Sequence, residues 1–115
     1  MSTNPMSTRP AETPEPPYYV VVFASQRLEG DDGYAEAAER MAELVTRQPG
    51  FLGVDSTRDA NGFGITVAYF SDEESIRQWY RHPEHSETRD EGRAKWYQHY
   101  AVHVAKVERA YRWDR

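Results

Sequence analysis

Seven consecutive apolar residues, Tyr18-Tyr19-Val20-Val21-Val22-Phe23-Ala24, place a demand on any fold this chain adopts. The run is β-branched and aromatic, so it reads as a strand. No polar residue alternates with the apolar ones, and both faces of that strand must therefore be covered. The far end of the chain makes the same demand. From Tyr97 to about Tyr111, Val102, Val104, Val107 and the aromatics put apolar groups on both faces of a last strand.

Between these strands the pattern changes period twice. Asp31, Asp32 and Gly33 open a helix in which Tyr34, Ala37, Ala38, Met41, Leu44 and Val45 share one side, and Pro49-Gly50 is expected to end it. Phe51 to Arg58 reads as a second strand. Asn61-Gly62 signals a tight type I′ hairpin into a third strand, along which Phe63, Ile65, Val67 and Tyr69 alternate. Ser71 and Glu74 form a capping box for a helix with Ile76, Trp79 and Tyr80 on its apolar side. His82-Pro83 breaks that helix, and Glu84 to Lys95 reads as another helical stretch.

The order strand, helix, strand, strand, helix, strand is the α+β, ferredoxin-like βαββαβ arrangement, an antiparallel sheet with helices on one face. One chain's helices cover one sheet face only. The first and last strands need cover on both, so a homodimer with sheet packed on sheet is expected.

Composition narrows the function classes. The chain has 115 residues, enough for one compact domain. Its 14 Lys+Arg against 19 Asp+Glu leave a net charge of −5, which argues against nucleic acid or an anionic membrane surface as partner. Residues 1–17 carry Pro5, Pro10, Pro14, Pro16 and Pro17 among polar residues and are expected to be a disordered tail, leaving 18–115 as the folded domain. No stretch matches a signal peptide or approaches the roughly 20 apolar residues of a membrane span. The absence of cysteine excludes thiolate metal sites, iron–sulfur clusters and a cysteine nucleophile, and is compatible with the cytoplasm.

Several stretches resemble the antibiotic biosynthesis monooxygenase superfamily. They are Phe23-Ala24-Ser25-Gln26-Arg27-Leu28, the turn Gln48-Pro49-Gly50-Phe51-Leu52-Gly53-Val54, Ser71 to Trp79, and the block from His82-Pro83-Glu84-His85 to Gly92-Arg93-Ala94-Lys95-Trp96-Tyr97. The resemblance spans nearly all of Tyr18 to Trp113. It implies a dimeric α/β barrel and oxygenation of a hydrophobic aromatic substrate, a phenol, quinol or anthrone, without a bound cofactor. A haem-degrading branch of the superfamily resembles this chain in the tryptophan at Trp79. That branch also implies an asparagine late in the first strand and a haem-ligating histidine ten residues after the tryptophan, where Gln26 and Arg89 stand here. A guanidinium does not ligate iron as an imidazole does, and His85 lies one helical turn early, so haem is not favoured.

Were Glu84 to Trp96 one helix, His85, Arg89, Gly92 and Trp96 would share a stripe. An electron-rich phenol or quinol must lose a proton before it passes an electron to oxygen. His85 is the natural base, and Arg89 or Arg93 would stabilise the phenolate. Gly92 would let a flat ring lie close, Trp79, Trp96 and Tyr69 would wall it, and Gln26, at the family's asparagine position, completes the substrate-binding candidates. The bland alternative is that the aromatics fill the core and His85 is a solvated surface group. A ligand-binding or stress-associated barrel without turnover is the competing function, since Gln26 and Arg89 replace active groups.

Other constellations are weaker. His82 and His85 could share an ion around Pro83, but no third imidazole is placed, and no metal site is expected. His99 and His103 on one strand face are about 13 Å apart at about 3.3 Å per residue, too far to chelate one ion. They read as sheet-face or dimer-edge side chains. Gly62-Phe63-Gly64 lacks the following helix of a phosphate loop, and neither Ser25 nor Ser71 sits in a nucleophile elbow.

Overall fold

The computed structural model describes residues 9–115. The elements are β1 (Tyr18–Arg27), α1 (Tyr34–Val45), β2 (Phe51–Arg58), β3 (Phe63–Phe70), α2 (Glu73–Arg81), α3 (Pro83–Glu91), a π-helical turn (Gly92–Trp96) and β4 (Tyr97–Val107). The four strands form one antiparallel sheet in the order β2-β3-β1-β4, the ferredoxin-like topology. Each crossover skips one strand, and the right-handed rule puts the helices of both on the same side. Contacts agree, because Tyr34 of α1 packs edge-on against Tyr97 while Arg40 of α1 pairs with Glu84 of α3.

Register then assigns the faces. Phe23 and Ser25 of β1, Tyr100, Val102 and Val104 of β4, and Phe70 of β3 point toward the helices. Phe70 and Ser25 are almost fully buried there. Ala24, Gln26, Ile65, Tyr69, His99 and His103 occupy the opposite face. Neither face is sealed within one chain: Ile65 is 41% exposed on the outer face, and Val102 and Val104 are 49% and 52% exposed on the helix side. The helices therefore leave the β4 half of the sheet uncovered.

Several local expectations are corrected. The last turn after α1 tightens over Thr46 to Gln48, so the helix stops at Val45, ahead of Pro49-Gly50. Asp72 caps α2 instead of Ser71: its Oδ1 accepts from the Ser75 backbone N–H at 2.7 Å and from the Ser75 hydroxyl at 2.8 Å, which holds its carboxyl below the usual range. The hairpin is not type I′, which needs positive φ at both central residues. Only Gly62 has it, at +92°, and the Asp59 carboxylate accepts from the N–H groups of Asn61 and Phe63 to close a longer loop.

The segment 9–17, expected to be a tail without structure, makes defined contacts. Ala11 N–H donates to Asp55 at 2.9 Å, Arg112 donates to the Ala11 carbonyl, and the Thr13 hydroxyl donates to Tyr18. Exposed prolines have no N–H to satisfy, so a few bonds suffice to lay this stretch on the sheet. The rest of that expectation falls on residues 1–8, outside the described residues. β4 ends at Val107, short of Tyr111, and Tyr111 and Trp113 are exposed beyond it. No helix among the described residues is long and apolar enough to cross a membrane.

Candidate functional site

His82 joins α2 to α3. Its Nδ1 accepts from the Glu84 N–H at 3.1 Å, capping α3, and Pro83 follows at the first helical position, where a missing N–H costs nothing. This sharp joint turns α3 back so that His85 lies face to face on Trp79, with ring centroids 4.1 Å apart and an 11° interplanar angle. His85 Nδ1 is 2.9 Å from the Trp79 carbonyl oxygen. A carbonyl can only accept, so Nδ1 carries the proton and Nε2 keeps a lone pair. Arg89 Nη1 lies 3.4 Å from the same Nδ1. Two donors facing each other form no hydrogen bond. Burial, reinforced by the Arg89 charge, pulls His85 down to about 4 against the opposing pull of the Trp79 carbonyl. The imidazole is neutral at pH 7.

Arg89 is fixed by donating to the Tyr80 carbonyl at 2.8 Å, with its guanidinium 3.9 Å above the centre of the Tyr80 ring. Arg93 donates from Nε to the Tyr100 hydroxyl oxygen at 2.6 Å. Among the described residues neither guanidinium has a carboxylate within 4.0 Å, whereas Arg9, Arg40, Arg77 and Lys95 each do. Both guanidiniums therefore spend their hydrogen bonds on neutral oxygens, with the Asp90 charge acting on Arg93 from a longer distance.

The fold brings together Trp79, His85 and Arg89, and sets Arg93 beside them on Tyr100. It separates the other candidates. The Gly92–Trp96 turn closes with Tyr97 N–H on the Gly92 carbonyl, a wider π turn that rotates Trp96 off the α-helical stripe. Trp96 is 3% exposed, donates from Nε1 to the Asp32 carbonyl at 2.8 Å and packs on Tyr34, bracing the entry to α1. The gap at Gly92 is filled by the chain itself, since a Cβ there would stand 3.0 Å from the Tyr97 ring. Tyr69 lies on the sheet face away from the helices, against Tyr18, and donates to Asp55 at 2.9 Å. Burial and that carboxylate push its phenol up to about 12. Gln26 lies on the same outer face and donates to the Asn61 and Arg27 carbonyls, tying down the hairpin. Strand alternation thus sets both on the sheet face opposite the one that Trp79 and α3 pack against.

Two clefts lie elsewhere. One of about 460 Å³ between α1 and α3 is lined by Glu36, Arg40, Met41, Glu84, Glu87 and Trp96, and one of about 540 Å³ adjoins the hairpin near Arg27 and Arg58. Neither is lined by His85, Arg89 or Arg93. Arg27 lies 3.7 Å over the Tyr34 ring, and Arg58 donates to the Ser25 hydroxyl at 2.8 Å and the Gly62 carbonyl at 2.6 Å, stapling the hairpin to β1. Nothing in the spacing singles out this cluster or Tyr100. Tyr100 shares the alternation of Val102 and Val104, but the bulge at Gln26 and Arg27 that sets its register has no local sequence signal.

Among the described residues no three His, Asp or Glu side chains converge as metal ligands. The haem-binding pattern also fits poorly. Arg89 offers only donors where an axial ligand would stand, and Gln26 is on the other side of the sheet from His85.

A family model described as antibiotic biosynthesis monooxygenase matches residues 17–91, more than half of the chain. The chain belongs to this family. A curated relative from Bacillus subtilis (strain 168), named as the uncharacterized protein YqjZ, is 54% identical over 99 residues, covering 86% of this chain and 87% of that protein. Among solved structures, SnoaB, a cofactor-independent oxygenase from Streptomyces nogalater, superposes with a TM-score of 0.70 at 15% identity, over 83% of this family member and 97% of SnoaB. Protein SO0527 from Shewanella oneidensis gives 0.72 at 12% identity, over 82% and 94%. At such identities the two structures speak for the fold.

Proposed function

We propose that this family member is a monooxygenase acting on a hydrophobic aromatic substrate of the phenol, quinol or anthrone kind, using molecular oxygen without a bound cofactor. The observation that carries the reading is the neutral His85, locked in one tautomer against Trp79 with Arg89 alongside. The reading seats the apolar ring on the half-exposed Val102 and Val104, on the sheet face that the helices pack against, with its hydroxyl or acidic C–H turned to His85. Free imidazole with so low a pKa is a weak base. It serves here because Arg89 and Arg93 favour the anion that the substrate becomes on losing its proton, and reaction with oxygen then draws that unfavourable proton transfer forward. Family membership and the fold shared with SnoaB support the same reading.

The active form is taken to be a homodimer in the cytoplasm. The outer sheet face carries Ala24, Ile65 and Val67 with no helix over them, which a second sheet would cover. Sedimentation as a monomer at micromolar concentration counts against this part.

The weak basicity of His85 also favours a second reading, a barrel that binds such aromatics without turning them over. Oxygen consumption with anthrones and quinols separates the two. Turnover that falls at least about 100-fold in His85→Ala supports the oxygenase, at the scale general acid–base groups contribute. Unchanged turnover removes His85 from the mechanism, and ligand binding without oxygen uptake selects the second reading. A haemin titration with a sharp shifted Soret band lost in His85→Ala would instead revive the haem branch.

A further inference from the structure

We propose that Tyr100 is a further catalytic residue of this site, donating its phenolic proton to an oxygen atom of the aromatic ligand while Arg93 holds the phenol oxygen from behind. The inference rests on the oxygenase reading and extends it to the oxygen-reduction half of the reaction.

Three observations place Tyr100 for this task. Opposite Ser25 in the β1–β4 ladder, it points to the helix side of the sheet, in line with the half-exposed Val102 and Val104 on the same face of β4. Its ring is held at 5.3 Å from Phe23 and 5.9 Å from Tyr97, so the hydroxyl has a fixed origin. Arg93 Nε occupies one side of that oxygen at 2.6 Å. A guanidinium can only donate, so the phenol must accept from it, and its own O–H turns elsewhere. Arg93 acts through Tyr100 and is thus a positioning residue, a different role from direct contact with the substrate.

The chemistry needs such a donor. An anthrone-type CH₂ loses one proton toward His85, and the carbanion passes its electrons to oxygen as the C–O bond forms, leaving a peroxide anion. Tyr100 gives its proton to the terminal oxygen. The O–O bond then breaks with loss of the second C–H proton, releasing water and leaving a carbonyl. The phenolate rests on the Arg93 guanidinium until solvent carries the proton from His85 back to it. One CH₂ and one O₂ thus become one C=O and one H₂O.

The test uses the full chain and compares 9,10-anthraquinone with anthracene, which shares its outline without the two acceptor oxygens, by quenching of tryptophan fluorescence. Wild type is expected to prefer the quinone about five- to tenfold, the scale of one net hydrogen bond, and Tyr100→Phe to lose the preference while binding anthracene unchanged. A preference kept in Tyr100→Phe, or no binding to wild type, overturns the proposal. With anthrone and oxygen, Tyr100→Phe is expected to lower kcat about 100-fold at unchanged KM. Turnover within twofold of wild type overturns the donor role, whereas wild type that shows the quinone preference but consumes no oxygen overturns the oxygenase reading and leaves the donor geometry standing.

Discussion

His85 should make the stability of this protein depend on pH in a direction that can be worked out. In the unfolded chain the imidazole titrates near its ordinary 6.5, whereas in the fold burial and Arg89 hold it at about 4. Between those values the unfolded state binds more protons than the native one, so stability rises with pH. The contribution is whole above about pH 6.5 and is withdrawn as the pH falls to about 4. At about 1.4 kcal/mol per pKa unit, the displacement from 6.5 to about 4 corresponds to a loss of about 3 kcal/mol. Urea unfolding of wild type and His85→Phe at pH 7.5, 5.5 and 4 isolates this effect, because the carboxylates and the other histidines are common to both proteins. The difference between the two should shift by about 3 kcal/mol against wild type across that range. Histidine NMR titration supplies the direct check, with one ring expected to stay neutral down to about pH 4. A His85 that titrates near 6.5 would refute both the burial argument and the claim that the imidazole is neutral at the site.

Three further outcomes test the frame around the site. Gly50→Ala should cost about 2–4 kcal/mol in urea unfolding, combining a left-handed φ of +81° with a Cβ placed 2.7 Å from that of Ser75 in α2. A loss under about 1 kcal/mol would mean α2 shifts freely. Tyr69→Phe should lose about 1 kcal/mol of stability with its bond to Asp55 and leave ligand affinity on the helix side unchanged, because Tyr69 faces the other way. Altered affinity would place the ligand on the outer face. His82→Ala should cost about 1 kcal/mol of stability through the lost α3 cap, and His82→Asn should restore most of it. Equal losses in both would show that the Trp79 contact, at 5.6 Å, and not the cap, is what His82 contributes.

The elements and their order were legible because each has a strong local signature. The Tyr18–Ala24 run, the apolar side of Tyr34 to Val45 and the His82-Pro83 break depend on neighbours in sequence alone. Their ends were less so. Asp72 takes the cap from Ser71 because its carboxylate reaches both the N–H and the hydroxyl of Ser75, a choice between adjacent residues that only the path of the chain makes. Within the site, Trp79, His85 and Arg89 could be grouped in advance, since one joint and one helical turn relate them.

Trp96, Tyr69 and Gln26 could not be placed in the same way. The π turn at Gly92 arises where α3 must meet β4 in register, and five residues instead of four then separate the bonded groups and carry Trp96 to Tyr34. Tyr69 and Gln26 follow the sheet's alternation, and which face receives the helices is settled by crossover handedness over the whole chain. Sequence by itself determined the α+β order, the family and the sheet's need for more cover than one chain's helices provide. Tertiary structure alone decided that His85 is neutral and fixed on a carbonyl, that Arg93 belongs to Tyr100, and that the valines on the Tyr100 face of β4 lie half-exposed. The reason is physical: periodicity is a property of near neighbours, whereas burial, tautomer and charge balance depend on groups that only the fold brings within a few ångströms.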